Sequence, residues 1–281
     1  MPLSAPLTIS HQAFKVIKEV IAREAGIKLS DFKKAFLISR LTPRLKALGC
    51  TSFSEYLEVL ADPATQGREV GQLISRITTN ETRFFRERHH FEFLTRSYLP
   101  TWTDSGSFIR KLSLWSAGCA SGEEAYSLAM TLSDFARNRP SLWYTIWATD
   151  IDQEALQKAR QGVYSAKTAQ PIPADFLKSF FLKGVQEQAG LIKIRPSFQK
   201  QIAFEFFNLH RPAAVRQGPF EIIFCRNVLI YFQPLVREKV VHFFYQNLRP
   251  AGLLFLGHSE NLLEMKELFK PLGKTVYQRI P

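Results

Sequence analysis

The first part of the chain carries apolar side chains at intervals of three and four residues, the period of amphipathic helices. A first helix is predicted between Ser10, as its cap, and Gly26. Three further helices follow, with apolar positions Phe32, Phe36, Leu37 and Leu41, then Phe53, Tyr56, Leu57 and Leu60, then Val70, Leu73, Ile74 and Ile77. The pattern therefore predicts an all-α domain over residues 1–90.

Pro43 interrupts the second of these segments. A proline inside a helix has no backbone N–H to donate, and its ring collides with the carbonyl one turn earlier. We therefore expect a kink here, or a restart of the helix with Thr42 as its cap.

From about residue 110 short apolar runs alternate with helical stretches. The predicted strands are residues 112–117, 143–149, 204–207, 221–225 and 253–257. Strands that alternate with helices predict an α/β fold, a parallel, doubly wound sheet with helices on both faces. These strands define a second domain, residues 91–281. Residues 191–195 instead alternate like a solvent-facing strand, which predicts a small antiparallel insert in this domain at about 165–203.

Composition narrows the class of protein. A hydrophobic content of 46% and a charged content of 22% exclude a wholly disordered chain. No apolar run approaches the roughly 18 residues that a membrane span needs, and the N-terminus lacks the pattern of a secretory signal. The three cysteines, Cys50, Cys119 and Cys225, lie far apart without metal-ligand spacing. We expect reduced, buried thiols in a cytoplasmic protein.

The balance of charge indicates an anionic partner. The chain has 37 Lys+Arg and 25 Asp+Glu, a net charge of +12. Nucleic acid and an acidic protein surface both suit such a charge, and net charge alone does not separate them. Much of the excess lies in the helical domain, where Lys33, Arg40 and Arg44 are spaced to share one helical face.

Polar residues follow the predicted strands where a parallel sheet binds its ligands. They are a Gly118–Gly122 turn, Asp150, Asn208 and Asn227. The turn is neither the Gly-x-Gly-x-x-Gly of dinucleotide sites nor a Walker loop, which weakens dinucleotide and nucleoside-triphosphate interpretations. Asp150 can accept hydrogen bonds from a ribose, or it can cap the next helix. Together these features suggest a nucleoside ligand without a polyphosphate, and S-adenosylmethionine fits.

Five blocks of sequence make this interpretation specific. They are Thr-Thr-Asn-Glu-Thr-Arg-Phe-Phe-Arg-Glu at 78–87, Ser-Ala-Gly-Cys-Ala-Ser-Gly-Glu-Glu-Ala-Tyr-Ser at 116–127, Ala-Thr-Asp-Ile-Asp at 148–152, Phe-Cys-Arg-Asn-Val-Leu-Ile-Tyr-Phe at 224–232 and Gly-His-Ser-Glu-Asn at 257–261. Together they resemble the CheR family of chemoreceptor glutamate methyltransferases. The resemblance implies a Rossmann-like S-adenosylmethionine-dependent methyltransferase sheet behind a helical receptor-recognition domain. It also implies esterification of glutamates on the cytoplasmic helices of methyl-accepting chemotaxis receptors, with S-adenosylhomocysteine as the other product.

The resemblance also implies roles for individual residues. The expected cofactor contacts are Asn80, Thr82, Arg86, Glu124, Asp150 (to the ribose), Asn208, Leu209, Asn227 and Val228. Arg86 and Tyr231 would stand beside the transferred methyl, and Lys33, Arg40 and Arg44 would meet the receptor helix.

One departure from the family concerns a loop of the insert. Members that dock on a receptor's pentapeptide tether usually carry Gly-x-Gly-x-x-x-Gly there, and this chain has Gln186 between Gly184 and Gly190. A backbone conformation that only glycine adopts easily is expected to be lost, which makes tether binding doubtful.

Other interpretations stay open at this level. One is a methyltransferase of this fold acting on RNA or a small molecule, although no Asn-Pro-Pro-Tyr-type sequence is present. A nucleic-acid-binding protein is disfavoured because basic residues do not interleave with a stacking array of aromatic residues. A non-catalytic scaffold is disfavoured by the full set of cofactor positions. His89, His90 and His258 are expected to be structural rather than metal ligands. We expect a monomer with no nucleic-acid partner and no insertion into the membrane.

Overall fold

The helical domain is formed by four helices around one apolar core. The computed structural model describes residues 7–104 and 110–281. The helices are α1 (His11–Ala25), α2 (Lys34–Leu48), α3 (Phe53–Ala61) and α4 (Gln66–Ile77). α1 begins as predicted, since the Ser10 hydroxyl accepts a hydrogen bond from Ala13 N at 3.0 Å, and Gly26 ends it at φ 70°. Buried side chains from all four helices, among them Ile17, Leu41 and Tyr56, meet in the core.

The second helix departs from two predictions. α2 runs through Pro43 without a restart, and the Thr42 hydroxyl donates to the Ile38 carbonyl at 2.7 Å as an interior residue. The predicted restart capped by Thr42 is therefore wrong. Phe32 was expected on the apolar side, but it is 98% exposed. It lies in a separate 3₁₀ turn, Asp31–Lys33, whose different period takes it off the face that carries Leu37.

A broken helix leads into the second domain, and strands then alternate with helices as predicted. The elements are α5 (His89–Phe93), a π-helical turn (Leu94–Tyr98), α6 (Leu99–Asp104), β1 (Arg110–Ala117), α7 (Glu123–Ala136), β2 (Leu142–Asp150), α8 (Gln153–Gln161), β3 (Val163–Ser165), α9 (Ala174–Phe180), β4 (Phe181–Lys183), β5 (Leu191–Ile194), α10 (Pro196–Gln199), β6 (Ile202–Phe206), β7 (Phe220–Cys225), α11 (Pro234–Asn247), β8 (Leu248–Leu256), β9 (Phe269–Gly273) and β10 (Val276–Arg279). We call residues from β1 onward the sheet domain.

The main sheet has the order β6-β2-β1-β7-β8-β10-β9. β6, β2, β1, β7 and β8 are parallel, and the last two strands are antiparallel. Apolar clusters cover both faces, one with Leu114 and Phe224 and the other with Trp115 and Phe244. The chain leaves β1 towards β2 on one side and returns to β7 on the other. Such a reversal opens a crevice at the carboxyl ends of these strands.

The insert forms a separate three-stranded antiparallel sheet, ordered β3-β5-β4. Between β4 and β5, Gln186 has φ 51° and Gly190 has φ 85°. We expected the missing glycine to remove a left-handed backbone conformation from this loop. Gln186 nevertheless adopts that conformation, at the steric cost of its side chain. At Gly184 an added Cβ would lie 2.0 Å from the Gln188 carbonyl oxygen, so this turn requires a glycine at its start.

Two further expectations can be compared with the described residues. Cys50, Cys119 and Cys225 are all buried and free of disulfide bonds, as predicted. Among the described helices, none combines the length and the apolar character that crossing a bilayer requires.

Candidate active site

A cavity of about 320 Å³ lies where the helical domain meets the carboxyl ends of the parallel strands. Its walls contain every predicted cofactor and catalytic residue: Asn80, Thr82, Arg86, Glu124, Asp150, Asn208, Leu209, Asn227, Val228 and Tyr231. The helical domain adds Lys28, Leu29, Lys33 and Phe36. The structure thus brings together in one space residues as far apart in the chain as Lys28 and Tyr231.

The glycine turn after β1 forms one wall. Gly118 has φ 83°, and a Cβ built on it would lie 2.4 Å from Val228 Cγ2. The Gly118 and Cys119 N–H groups both donate to the Thr149 carbonyl, at 2.8 and 2.9 Å. Only glycine fits between these walls, and the bare backbone lets a ligand approach closely.

Asp150 lies at the end of β2 and is 8% exposed. Its two carboxylate oxygens accept from Ala120 N at 2.8 Å and from Asp152 N at 2.9 Å. Burial raises the pKa of this carboxyl to about 6, while the backbone hydrogen bonds act in the opposite direction. The helix-cap interpretation of Asp150 is wrong, because Asp152 caps α8 by accepting from Glu154 N and Ala155 N. Asp150 can therefore present its remaining lone pairs to hydroxyl donors such as a ribose diol.

Glu124 opens onto the cavity from the first turn of α7. One of its oxygens accepts from the Ser116 hydroxyl at 2.7 Å, and the other lies 3.5 Å from Arg226 Nη1. Burial raises the pKa of Glu124, and the neighbouring Arg226 guanidinium opposes that shift. The pair keeps a carboxylate in a buried site where an isolated charge would be costly.

Arg226 is a site residue that the sequence analysis did not single out. Its side chain is 2% exposed, and it donates to the Arg86 carbonyl while lying 3.4 Å from a Glu87 oxygen. The signal was present, since a charged residue directly follows the fully buried strand β7. Arg226 joins the segment before α5 to the wall that holds Glu124.

Arg86 is held in a strained segment. Phe85 and Glu87, on either side of it, have φ of 52° and 55°, which is uncommon for residues with a side chain. The segment is fixed by a bond from Phe85 N to the Ser127 hydroxyl at 2.9 Å, and Arg86 Nη1 donates to the Glu81 carbonyl at 2.9 Å. Surrounding contacts thus maintain a conformation that is unfavourable in isolation, as is common at functional sites.

Asp152 was also missed as a site residue. It is 2% exposed and accepts from Ser75 Oγ at 2.6 Å, from Thr78 Oγ1 at 3.3 Å and from the Asn80 amide. These donors belong to the end of α4 and the segment after it. Asn80 therefore lines the cavity with its amide nitrogen tied to Asp152.

Asn208 lines the cavity, but its amide is used within the protein. The nitrogen donates to the Glu24 carbonyl at 2.7 Å, and the oxygen accepts from His210 N at 2.9 Å. The residue therefore fastens the end of α1 to the sheet domain. A contact between Asn208 and the cofactor stays a prediction.

Tyr231 is placed by both domains. It lies in a 3₁₀ turn, Leu229–Tyr231, and its carbonyl accepts from Lys28 N at 2.9 Å. An isolated antiparallel bridge between Ile27 and Phe232 adds to this junction. Tyr231 is half-buried at this junction and lines the cavity.

The three cations expected on one receptor-facing surface separate. Lys33 and Arg40 are exposed, and their charged groups lie 5.5 and 5.3 Å from the centre of the Phe36 ring. Arg44 instead turns inward, with Nε 3.1 Å from the Glu69 carboxylate and 16% of its side chain exposed. The prediction of a shared exposed face is wrong for Arg44, because the buried carboxylate on α4 requires a partner.

Glu87, His89 and His258 form a group whose possible ligand atoms lie within 4.8 Å of one another. The Glu87 carboxylate already faces the Arg226 guanidinium and accepts from His258 N at 3.3 Å, while the rings of His89 and His258 stack at 5.2 Å. A guanidinium beside the carboxylate opposes a cation, so this geometry favours structural roles. His90 is buried beside them, and burial lowers its pKa to about 3.

The geometry of the cavity fits S-adenosylmethionine. Two carboxylates, the buried Asp150 and the half-buried Glu124, face a space bounded by the Gly118 backbone and by apolar walls such as Val228. A ribose diol supplies donors for a carboxylate, and an ammonium or sulfonium supplies positive charge. Asp150 and the Gly118 turn would hold the nucleoside, and Glu124 would hold the cationic end.

Comparison with known proteins agrees with this geometry. The family described as "CheR methyltransferase, all-alpha domain" matches residues 12–78, and "CheR methyltransferase, SAM binding domain" matches residues 80–278. A chemotaxis protein methyltransferase of Escherichia coli is 37% identical over 277 residues, covering 99% of this chain and 94% of the relative. Chemotaxis protein methyltransferase 2 of Pseudomonas aeruginosa is 36% identical over 291 residues, with 99% of both chains covered.

The matches extend across both domains, and the matched family binds the cofactor that the cavity fits. The chain belongs to the CheR family of S-adenosylmethionine-dependent methyltransferases.

Proposed function

We propose that this protein methylates glutamate side chains on the cytoplasmic helices of methyl-accepting chemotaxis receptors, forming glutamate methyl esters. The observation that carries the proposal is the mouth of the cofactor cavity. Lys28 and Lys33 line it and are exposed, and Arg40 lies beside them over Phe36. A cationic entrance suits an anionic acceptor that approaches along an acidic helix.

The chemistry requires little from the protein besides placement. S-adenosylmethionine supplies a methyl group bonded to a positively charged sulfur. A glutamate carboxylate has a reference pKa of about 4.3 and is already ionised at neutral pH, so no general base is needed. Its oxygen forms a bond to the methyl carbon as the carbon–sulfur bond breaks, and the bonding electrons stay on sulfur. No proton is transferred.

Some residues of the cavity would orient the acceptor carboxylate, and others would hold the cofactor. The Arg86 guanidinium presents several N–H donors that can orient a carboxylate. The Tyr231 hydroxyl can donate a hydrogen bond next to this guanidinium. Asn80, Thr82, Glu124, Asp150, Leu209, Asn227 and Val228 hold the cofactor in the proposal. Fixing both reactants within one enclosed space raises the rate by orientation and by exclusion of water.

The receptor is expected to lie along the helical domain. Lys28, Lys33 and Arg40 form what we call the basic entrance, and Arg44 is excluded from it by its pairing with Glu69. Rows of glutamates on a receptor helix would be attracted to this entrance, which places one carboxylate at the cavity. The proposal does not include a receptor tether bound at the Gln186 loop.

The test is methyl transfer from labelled S-adenosylmethionine to a membrane fraction that contains chemoreceptors. We expect label in a receptor-sized band. Mild base should release this label as methanol, as a carboxylate methyl ester requires. The Asp150→Ala protein serves as the cofactor-site control and should give little label. Label in RNA or in small molecules, with none in receptor, would favour the other methyltransferase classes and contradict the proposal.

A further inference from the structure

Glu260 binds four backbone N–H groups with one side chain. One oxygen accepts from Asn227 N at 2.8 Å and from Gly257 N at 2.6 Å. The other accepts from Val228 N at 3.0 Å and from Leu229 N at 2.8 Å. Glu260 is 3% exposed, so these bonds lie in a place where water does not compete.

The donors belong to the loops that follow two neighbouring parallel strands, β7 and β8. Asn227 has φ 60°. A Cβ built on Gly257 would lie 2.5 Å from the side-chain nitrogen of Asn227. The two loops are therefore in tight contact, and one of them contains a residue in the left-handed region. Such a conformation persists where its surroundings determine it, and the Glu260 carboxylate supplies that constraint.

The constrained loop forms one wall of the cavity. Val228 lies against the Gly118 turn, and its carbonyl accepts from Tyr231 N at 3.1 Å to shape the 3₁₀ turn that carries the tyrosine. Three of the four amides that Glu260 binds, those of residues 227–229, thus lie two to four positions before Tyr231. A shift of this loop would move both the cofactor wall and the tyrosine hydroxyl.

We infer that Glu260 is a positioning residue for methyl transfer, which fixes the 226–231 loop so that its cofactor wall and Tyr231 keep their places. The role of Tyr231 in this inference rests on the proposed function, and the role of the cofactor wall does not. A carboxylate is suited to the task because its two oxygens offer about four lone-pair sites and donate nothing when ionised.

The test variant is Glu260→Gln, in which an NH₂ group replaces one oxygen and faces two N–H donors. We expect the affinity for S-adenosylmethionine to fall at least about tenfold, because two charge-assisted bonds are lost at the cavity wall. Turnover at saturating cofactor should fall as well, since Tyr231 shifts. The affinity is measured by calorimetry without an acceptor, so it remains informative if the proposed substrate is wrong.

The matched control is Glu221→Gln. Glu221 is also buried, accepts from Ser113 N at 2.7 Å and pairs with Arg249, but it lies at the opposite end of β7. We expect Glu221→Gln to lower the stability while leaving the cofactor affinity within about twofold of wild type. Equal cofactor affinity in wild type and folded Glu260→Gln would overturn the inference, as would an equal loss in both variants.

A measurement on the wild type covers the case in which Glu260→Gln fails to fold. The Val228 and Leu229 amides follow the strand, yet buried bonds to Glu260 should slow their hydrogen exchange to the rates of strand β7. This protection should be present without cofactor. Exchange of these two amides at the rate of exposed loop amides would contradict a fixing role for Glu260.

Discussion

The amide of Asn80 donates a hydrogen bond to the carboxylate of Asp152, and this contact joins the segment after α4 to the N-terminus of α8. The Asp152 N–H in turn donates to Asp150 at 2.9 Å. Two residues thus connect the helical domain to the carboxylate proposed to bind the ribose. Placement of the helical domain and affinity for the cofactor should therefore be coupled.

Replacing Asp152 tests this coupling. Asp152→Ala removes the cap of α8 and leaves Ser75 and Asn80 without their acceptor. We expect the free energy of unfolding to fall by about 2 kcal/mol or more, since a lost cap alone costs about 1 kcal/mol. The affinity for S-adenosylmethionine should fall too. Urea unfolding and calorimetry measure the two effects.

Asp134→Ala is the control for that experiment, because Asp134 makes an exposed ion pair with Arg137. We expect a change in the free energy of unfolding within about 0.5 kcal/mol and an unchanged cofactor affinity. The coupling is refuted if Asp152→Ala loses stability but binds the cofactor as the wild type does.

The pKa of Asp150 predicts how cofactor binding depends on pH. Its value of about 6 means that the carboxylate is largely ionised at pH 7 and gains a proton as the pH falls below 6. A ribose diol donates to the ionised form, so the affinity for S-adenosylmethionine should decrease as the pH is lowered from 7 to 5. Asp150→Ala should bind weakly and lose this dependence. A flat profile in the wild type would contradict the ribose assignment.

Without cofactor, the free energy of unfolding should depend on pH in the opposite direction from the cofactor affinity. The pKa of Asp150 is higher in the folded protein, about 6, than the 3.8 of an unperturbed aspartate. The folded state therefore holds more protons between pH 4 and 6, and this group's contribution to stability falls as the pH rises through that window. Relative to Asp150→Ala, the wild type should lose on the order of 3 kcal/mol between pH 4 and 7, measured by urea unfolding.

Charge reversal separates the basic entrance from the buried arginine. Lys33→Glu with Arg40→Glu should raise the apparent KM for receptor and weaken its salt dependence, with cofactor affinity unchanged, because screening acts over about 8 Å at physiological ionic strength. Lys46→Glu, an exposed reversal further along α2, should change little. Steady-state kinetics at low and moderate salt measure this. Normal methylation by the double variant at low salt would mean that the entrance does not bind receptor.

Arg44→Glu should act on the fold instead. It places a second carboxylate beside Glu69, which is 2% exposed. Breaking a buried pair typically costs about 3–5 kcal/mol, so we expect a large loss in the free energy of unfolding. A variant as stable as Arg40→Glu would show that the Arg44–Glu69 pair is unimportant.

Removal of the Tyr231 hydroxyl tests its proposed role in the reaction. Tyr231→Phe keeps the ring against the cavity wall, so cofactor affinity should stay within about twofold of wild type. The rate constant of methyl transfer should fall at least about tenfold if the hydroxyl donates to the reacting groups, since one such bond is worth about 1.4 kcal/mol or more. Single-turnover kinetics with saturating cofactor measure it. Equal rates would leave Tyr231 as a wall residue only.

The sequence predicted what depends on local pattern and on the sheet's own geometry. Asp150 ends β2 and Asn227 lies two residues after β7, and the carboxyl ends of parallel strands converge, so their meeting at one cavity follows from topology. The direction of Arg44 could not be predicted in this way. It depends on Glu69, 25 residues away, and on how α2 and α4 pack.

One local effect and two further distant contacts explain the other differences. Phe32 fits a helical spacing, but a 3₁₀ turn at Asp31–Lys33 changes the period before α2 begins. The role of Asp152 at the site was missed because its partners, Ser75 and Asn80, lie more than 70 positions earlier in the chain. Glu260 likewise contacts amides about 30 positions before it. Contacts of this kind are set by the assembled fold rather than by local pattern.

The proposed function assigns methylation of receptor glutamates to the cavity between the two domains. The most direct measurement is mass spectrometry of a receptor cytoplasmic fragment after incubation with S-adenosylmethionine and either the wild type or Asp150→Ala. We expect a mass gain of one methylene on glutamate residues, which is lost on treatment with mild base and is nearly absent with the variant. Methylation of lysine or of nucleic acid, or no modified glutamate despite bound cofactor, would contradict it.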